Sequence, residues 1–114
     1  MARSFAVAAI ALILALATPA EGENKPAIRI GFSIAQTGSL SAAGKSGLLA
    51  LGIWRDDVNA RDGLLGRPIE LVFYDDQTNP ALTPSIYTKL LDVDKVDLLI
   101  GPYGTNLTAP ISRW

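Results

Sequence analysis

The residues Thr37–Ser46 read TGSLSAAGKS and close on Gly-Lys-Ser just after an apolar run. That ending raises the chemistry of a phosphate-binding loop. Such a loop needs a glycine, four residues, then Gly-Lys-Ser/Thr. Counting back from Gly44, the required position is Ser39, and the nearest glycine is Gly38. The spacing matters because backbone N–H groups must wrap a phosphate of fixed size. The run therefore either starts a helix, with Lys45 in solvent, or holds another ligand.

Other chemistry is thinly supplied. Asp75 and Asp76 could be paired carboxylates for proton transfer or a metal. They follow the second apolar strand pattern, and Asn79-Pro80 lies just beyond, so they read as turn and cap residues. A phosphoacceptor receiver domain would want its acidic pair after the first strand, where Ala35-Gln36 stand. Gly31-Phe32-Ser33 resembles a nucleophile elbow only in part, since the closing glycine is Ala35 and there is no histidine to activate a serine. The chain has no cysteine either. An enzyme is not expected. Asn106-Leu107-Thr108 is a glycosylation sequon, meaningful only in a eukaryotic secretory route.

The elements that hold these residues follow from pattern. Of 114 residues, the first 20 do not belong to the fold. Arg3, the apolar run Phe5–Ala17 and the small residues Thr18-Pro19-Ala20 form a secretory signal peptide over 1–20. The apolar run is shorter than the roughly 20 residues that span a bilayer. Losing Arg3 from 10 basic residues leaves 9 against 11 acidic ones. That balance offers no basic stripe for nucleic acid. Residues 21–26 are a polar, flexible lead-in. Strands are expected over 27–34, 69–74 and 96–100, the last buried on both sides. Helices are expected over 45–60, from Asn79 or Thr83 onward, and from Asn106. In the first, Leu48, Leu49, Leu51, Ile53, Trp54 and Val58 would line a broad apolar face, with Trp54 as a core anchor. Strands alternating with helices mean an α/β fold, a three-layer sandwich on a parallel sheet. The commonest short order is 2-1-3. Ligands of open α/β sheets bind beyond the carboxyl ends of the strands at the switch point, here between strands one and three. The loops 35–44 and 102–106 are the candidates.

In order along the chain, "TGSLSAAG", "VNARDGLLGRPIEL", "YDDQTNP" and "DLLIGPYGT" resemble the leucine/isoleucine/valine-binding family of periplasmic solute-binding proteins, which serve ABC importers. The likeness covers the whole chain after the signal. It implies a ligand cleft between two α/β lobes, read in the first lobe by the loops after strands one and three. By position it implies that Ala43 lines the ligand pocket, where an aromatic residue often stands, leaving more room. It implies that Tyr103, Gly104 and Thr105 hold the ligand's carboxylate. The local chemistry agrees for Thr105, which precedes a helix whose free N–H groups form a positive end. Each residue also has a plainer reading: a helix N-cap for Thr105, small-residue packing for Ala43, and cover for the sheet edge for Tyr103.

The resemblance implies a small-molecule ligand (an amino acid or related carboxylate), an ABC permease as partner and a periplasmic location. It implies no cofactor, no metal and no nucleic acid. Residues 27–114 would be an incomplete N-terminal lobe, so the chain is expected to be a fragment that folds poorly alone, with one edge of strand three unpaired. The alternative is a free-standing periplasmic α/β interaction domain or a non-functional truncated product.

Overall fold

The structure, a computed structural model, describes residues 25–113. The expected signal peptide and residues 21–24 of the lead-in lie outside the described residues. In the rest of the lead-in, the Pro26 carbonyl accepts a hydrogen bond from Arg67 Nε at 2.9 Å.

Three strands form the sheet: β1 (Ile28–Ser33), β2 (Ile69–Tyr74) and β3 (Leu98–Ile100). Their order is β2-β1-β3 and every pairing is parallel, as the sequence pattern implied. β1 runs along β2 from Ile28–Ile69 to Ser33–Tyr74, and along β3 from Ile30–Leu98 to Phe32–Ile100. The β-branched and aromatic residues of β1 and β2 suit a pleated, covered surface.

Alternation along β1 separates two faces. On one, Ile28 and Ile30 cluster with Ile69, and Val58 of α1 (Ser41–Ala60) and Leu71 pack against them. Phe32 belongs to this face and stacks on Phe73 with ring centroids 5.5 Å apart. On the other, Gly31 lies under Leu90 of α2 (Thr83–Asp92) and under Val96. A Cβ on Gly31 would stand 2.8 Å from Val96 Cγ2, so glycine lets this layer close onto the sheet. Helix, sheet and helix make the three layers.

The connections carry their own local logic. α1 ends where Gly63, at φ +75°, donates its N–H to the Val58 carbonyl at 3.0 Å. This is the left-handed cap conformation glycine adopts readily. Leu64 and Arg67 then exchange backbone hydrogen bonds of 2.8 and 2.9 Å across Leu65-Gly66, both at positive φ. That is the mirror-image turn that suits tight reversals.

Three expectations need correction, and the open start of α2 is decided. α1 starts at Ser41, not Lys45, because Gly44 already donates to the Leu40 carbonyl at 2.9 Å. α2 starts at Thr83, with Pro84 in its first turn, while Asn79 serves the preceding turn by accepting from Ala81 N at 3.0 Å. β3 is exposed along its length, with Leu98 53 % accessible, because among the described residues no strand or helix covers its outer side. Trp54 is not a core anchor. It is exposed, as are Leu49 and Ile53, because the apolar arc of α1 is wider than its contact with the sheet.

Candidate functional site

The site is built at the carboxyl ends of β1 and β3. Their ladder stops at the Phe32–Ile100 pair. Just beyond it, the buried hydroxyl of Tyr87 stands between the strands. It accepts from Ser33 N at 3.3 Å and donates to the Ile100 carbonyl at 2.5 Å. One side-chain oxygen thus replaces a direct strand-to-strand bond, and the strand tips part. Burial pushes the Tyr87 hydroxyl pKa above its ordinary value of 10.0; hydrogen bonds from Ser33 oppose the shift and the nearby Asp76 charge adds to it. Tyr87 therefore stays a neutral donor at ordinary pH. Ser33 Oγ in turn donates to Asp76 Oδ2 at 3.0 Å, and Thr78 N donates to Asp76 Oδ1 at 3.0 Å. Ser33, Asp76 and Tyr87 are all buried, and their polar atoms are satisfied.

The loop leaving β1 crosses directly over the loop leaving β2. Asp75 Oδ1 accepts from Gln36 N at 2.8 Å and from Thr37 N at 3.3 Å, and Oδ2 accepts from Thr37 Oγ1 at 2.8 Å. Thr78 Oγ1 donates to the Thr37 carbonyl and accepts from Leu40 N, each at 3.1 Å. Gly38, at φ +84°, fits against this platform: a Cβ there would stand 2.5 Å from the Gln77 carbonyl oxygen. α1 then begins. A Cβ on Gly44 would stand 1.7 Å from the Ala35 carbonyl oxygen, so the first turn lies hard against the end of β1. The run SAAG is a helix start built for close packing. Lys45 is exposed.

The loop leaving β3 passes through buried Pro102, exposed Tyr103 and Gly104 at φ +116°. A single turn, α3 (Thr105–Thr108), follows, then a 3-10 turn over Ala109–Ile111. Thr108 Oγ1 shares its one hydrogen between the Gly104 carbonyl at 2.9 Å and the Pro102 carbonyl at 3.3 Å, closing the loop on itself. Leu107 is fully buried beneath it. A Cβ built on Gly104 would lie 3.4 Å from Leu40 Cδ1. The segments leaving β1 and β3 therefore come close, with Leu40 beside the position a side chain on Gly104 would occupy.

All four expected ligand residues lie on these two segments. Ala43 sits exposed in the first turn of α1 rather than in a loop, and Tyr103 is 62 % exposed. Gly104 is half-buried, and Thr105 is exposed. Thr105 is not the N-cap of its plainer reading but the first helical residue. Gly104 takes that place, at a φ that L side chains rarely adopt, and no side chain caps the turn. Asp75 and Asp76 do serve their own turn, as Gln77 N donates to Asp75 Oδ1 at 2.9 Å. Asp75 also reaches across to the first loop and Asp76 to Ser33 at the end of β1, which their place in the sequence did not reveal. Tyr87 of α2, which the sequence did not single out, joins the polar network. Its hydroxyl was the available signal, since a buried tyrosine usually finds a partner.

The comparisons with known proteins agree with this architecture. Residues 27–114 match the family model described as periplasmic binding protein. The chain belongs to the periplasmic binding protein family. An amino acid binding protein of Pseudomonas aeruginosa is 27 % identical over 105 residues, 92 % of this chain and 27 % of that protein. The branched-chain amino acid transporter substrate-binding protein LivJ of Streptococcus pneumoniae, in complex with isoleucine, superposes with a TM-score of 0.70. It is 33 % identical, over 74 % of this chain and 24 % of that one. An ABC transporter solute-binding protein of R. palustris, in complex with benzoate, gives a TM-score of 0.66 at 26 % identity, over 76 % of this chain and 24 % of that one. This periplasmic binding protein chain spans about a quarter of the length of the relatives it matches. The sheet order β2-β1-β3 is that of the type I fold these structures share. Family members of this kind are solute-binding proteins, not enzymes.

Proposed function

We propose that this chain supplies one wall of a solute site in an extracytoplasmic binding protein of an ABC importer for amino acids or similar small carboxylated solutes. The observation that carries the proposal is the closeness of the two tip segments, Leu40 beside Gly104, at the switch point of the sheet. Open α/β sheets take their ligands there. Ala43 lines the pocket beside the solute's side chain, and Tyr103, Gly104 and Thr105 receive its carboxylate. The solutes seen with two similar proteins, isoleucine and benzoate, have that group in common. A second wall, from a further lobe, completes the enclosure that tight small-molecule binding needs. The protein works in the periplasm, delivered by the signal peptide at 1–20, and hands its solute to a membrane permease. The alternative, a free-standing interaction domain, draws on the exposed apolar row Leu98, Leu99 and Ile100.

Calorimetry with leucine, isoleucine, phenylalanine and benzoate tests the proposal. Heat on titrating a carboxylated member, absent with its amide, is the expected result. Equal heats for carboxylate and amide would remove the role given to residues 103–105.

A further inference from the structure

Asp75 and Thr78 stand outside the two segments assigned to the solute, yet five of their hydrogen bonds hold the first of those segments. The loop that carries them adopts an unusual shape to do so. Gln77 and Thr78 both have left-handed backbones, at φ 56° and 57°, and neither is glycine. Asp62, Leu65 and Lys95 share that conformation singly, whereas here two such residues follow one another, closing the stretch from Asp75 to Thr78. Asp75 here accepts from both loops at once, taking Gln77 N on its own side and Gln36 N, Thr37 N and Thr37 Oγ1 on the other. Hydrogen bonds to an ionised carboxylate are roughly twice as strong as neutral ones. Thr78 Oγ1 then fixes both ends of the next stretch, the Thr37 carbonyl and the Leu40 N–H. Leu40 lies beside Gly104 of the second segment and immediately precedes α1.

We propose that Asp75 and Thr78 are positioning residues: the β2 exit loop is a fixed clamp that sets the shape of residues 36–40 and thereby the placing of the first turn of α1. That this turn faces a solute rests on the function proposed above; the clamp itself does not. The carboxylate presents fixed acceptors, so residues 36–40 need no ordering when a ligand arrives. Preorganisation of this kind improves affinity by lowering the cost of binding.

Amide hydrogen exchange by NMR on the 114-residue chain tests the clamp, with Asp75→Asn, Thr78→Val and, as control, Asp57→Asn on the exposed face of α1. In Asp75→Asn, Gln36 and Thr37 are expected to exchange about tenfold faster or more, with Ile30 and Phe32 unchanged, since lost local bonds open local structure. In Thr78→Val the same change is expected at Leu40 instead. Unchanged exchange at Gln36 and Thr37, or a loss spread evenly through β1, overturns the clamp. Adding leucine separates the two claims. Shifts at Ala42 and Ala43 in the wild type that shrink in Asp75→Asn, with thermal midpoints alike, support positioning for a solute. Full-sized leucine shifts in Asp75→Asn overturn that role. The tenfold exchange pattern with no leucine shift in any chain sinks the solute reading while the clamp stands.

Discussion

Two side chains decide most of what happens at the sheet tips. Burial works to raise the Asp75 carboxyl, but hydrogen bonds from Gln36 N, Gln77 N, Thr37 Oγ1 and Thr37 N outweigh it, so its pKa lies below the ordinary 3.8. A lowered folded value means the carboxylate stabilises the fold fully above 3.8 and loses that contribution as pH falls through the lower value. Asp75→Asn should therefore be less stable than wild type at neutral pH. The urea midpoints of the two chains should converge as pH drops below 3.8, and parallel curves at every pH would contradict this. Tyr87→Phe tests the other residue. It strips the shared hydroxyl from the buried Ser33 N and from the part-buried Ile100 carbonyl. A buried polar group left unpaired costs about 1–3 kcal/mol. A loss in that range is expected by denaturant unfolding. A loss near zero would mean that the strands simply close and bond directly.

At the scale of elements, the glycines show where backbone meets backbone. Gly44 presses its helix turn onto Ala35, and any side chain there drives the turn away. Gly44→Ala is expected to cost about 3 kcal/mol or more, the upper range for overpacking. Gly101→Ala is the contrast, since nothing among the described residues lies within 4 Å of its Cβ. It should leave the melting midpoint almost unmoved. A similar response at both sites would mean that α1 does not dock where the structure puts it. These contacts explain what the sequence made legible. Alternation in AIRIGFSI and the β-formers of IELVFY marked two strands, and their alternation with helices marked the parallel order. The start of α1 was not legible, because Ser-Ala-Ala-Gly reads locally as a loop. Its helicity comes from docking on β1, a tertiary effect that outweighs propensity. The clamp was illegible for a related reason. Asp75 and Thr37 are neighbours only once β1 and β2 lie side by side.

Across the whole molecule, apolar pattern reported which side chains suit burial, but not what would cover them. Ile53, Leu49 and the whole of β3 were expected in the core and lie exposed among the described residues. An uncovered apolar strand edge invites pairing with another chain. Sedimentation velocity should show the chain associating as concentration rises, and Leu98→Lys with Ile100→Lys should suppress this. A wild-type chain that stays monomeric throughout would count against an available edge. The solute site belongs to this same scale, since it exists only where two segments some sixty residues apart in sequence come together. The most direct test of that site is an NMR map of backbone shifts on titrating isoleucine. Changes confined to residues 40–44 and 102–106 are the expected result. Changes centred instead on the exposed groove of α1 and β2, around Leu48, Ile53 and Phe73, would contradict it.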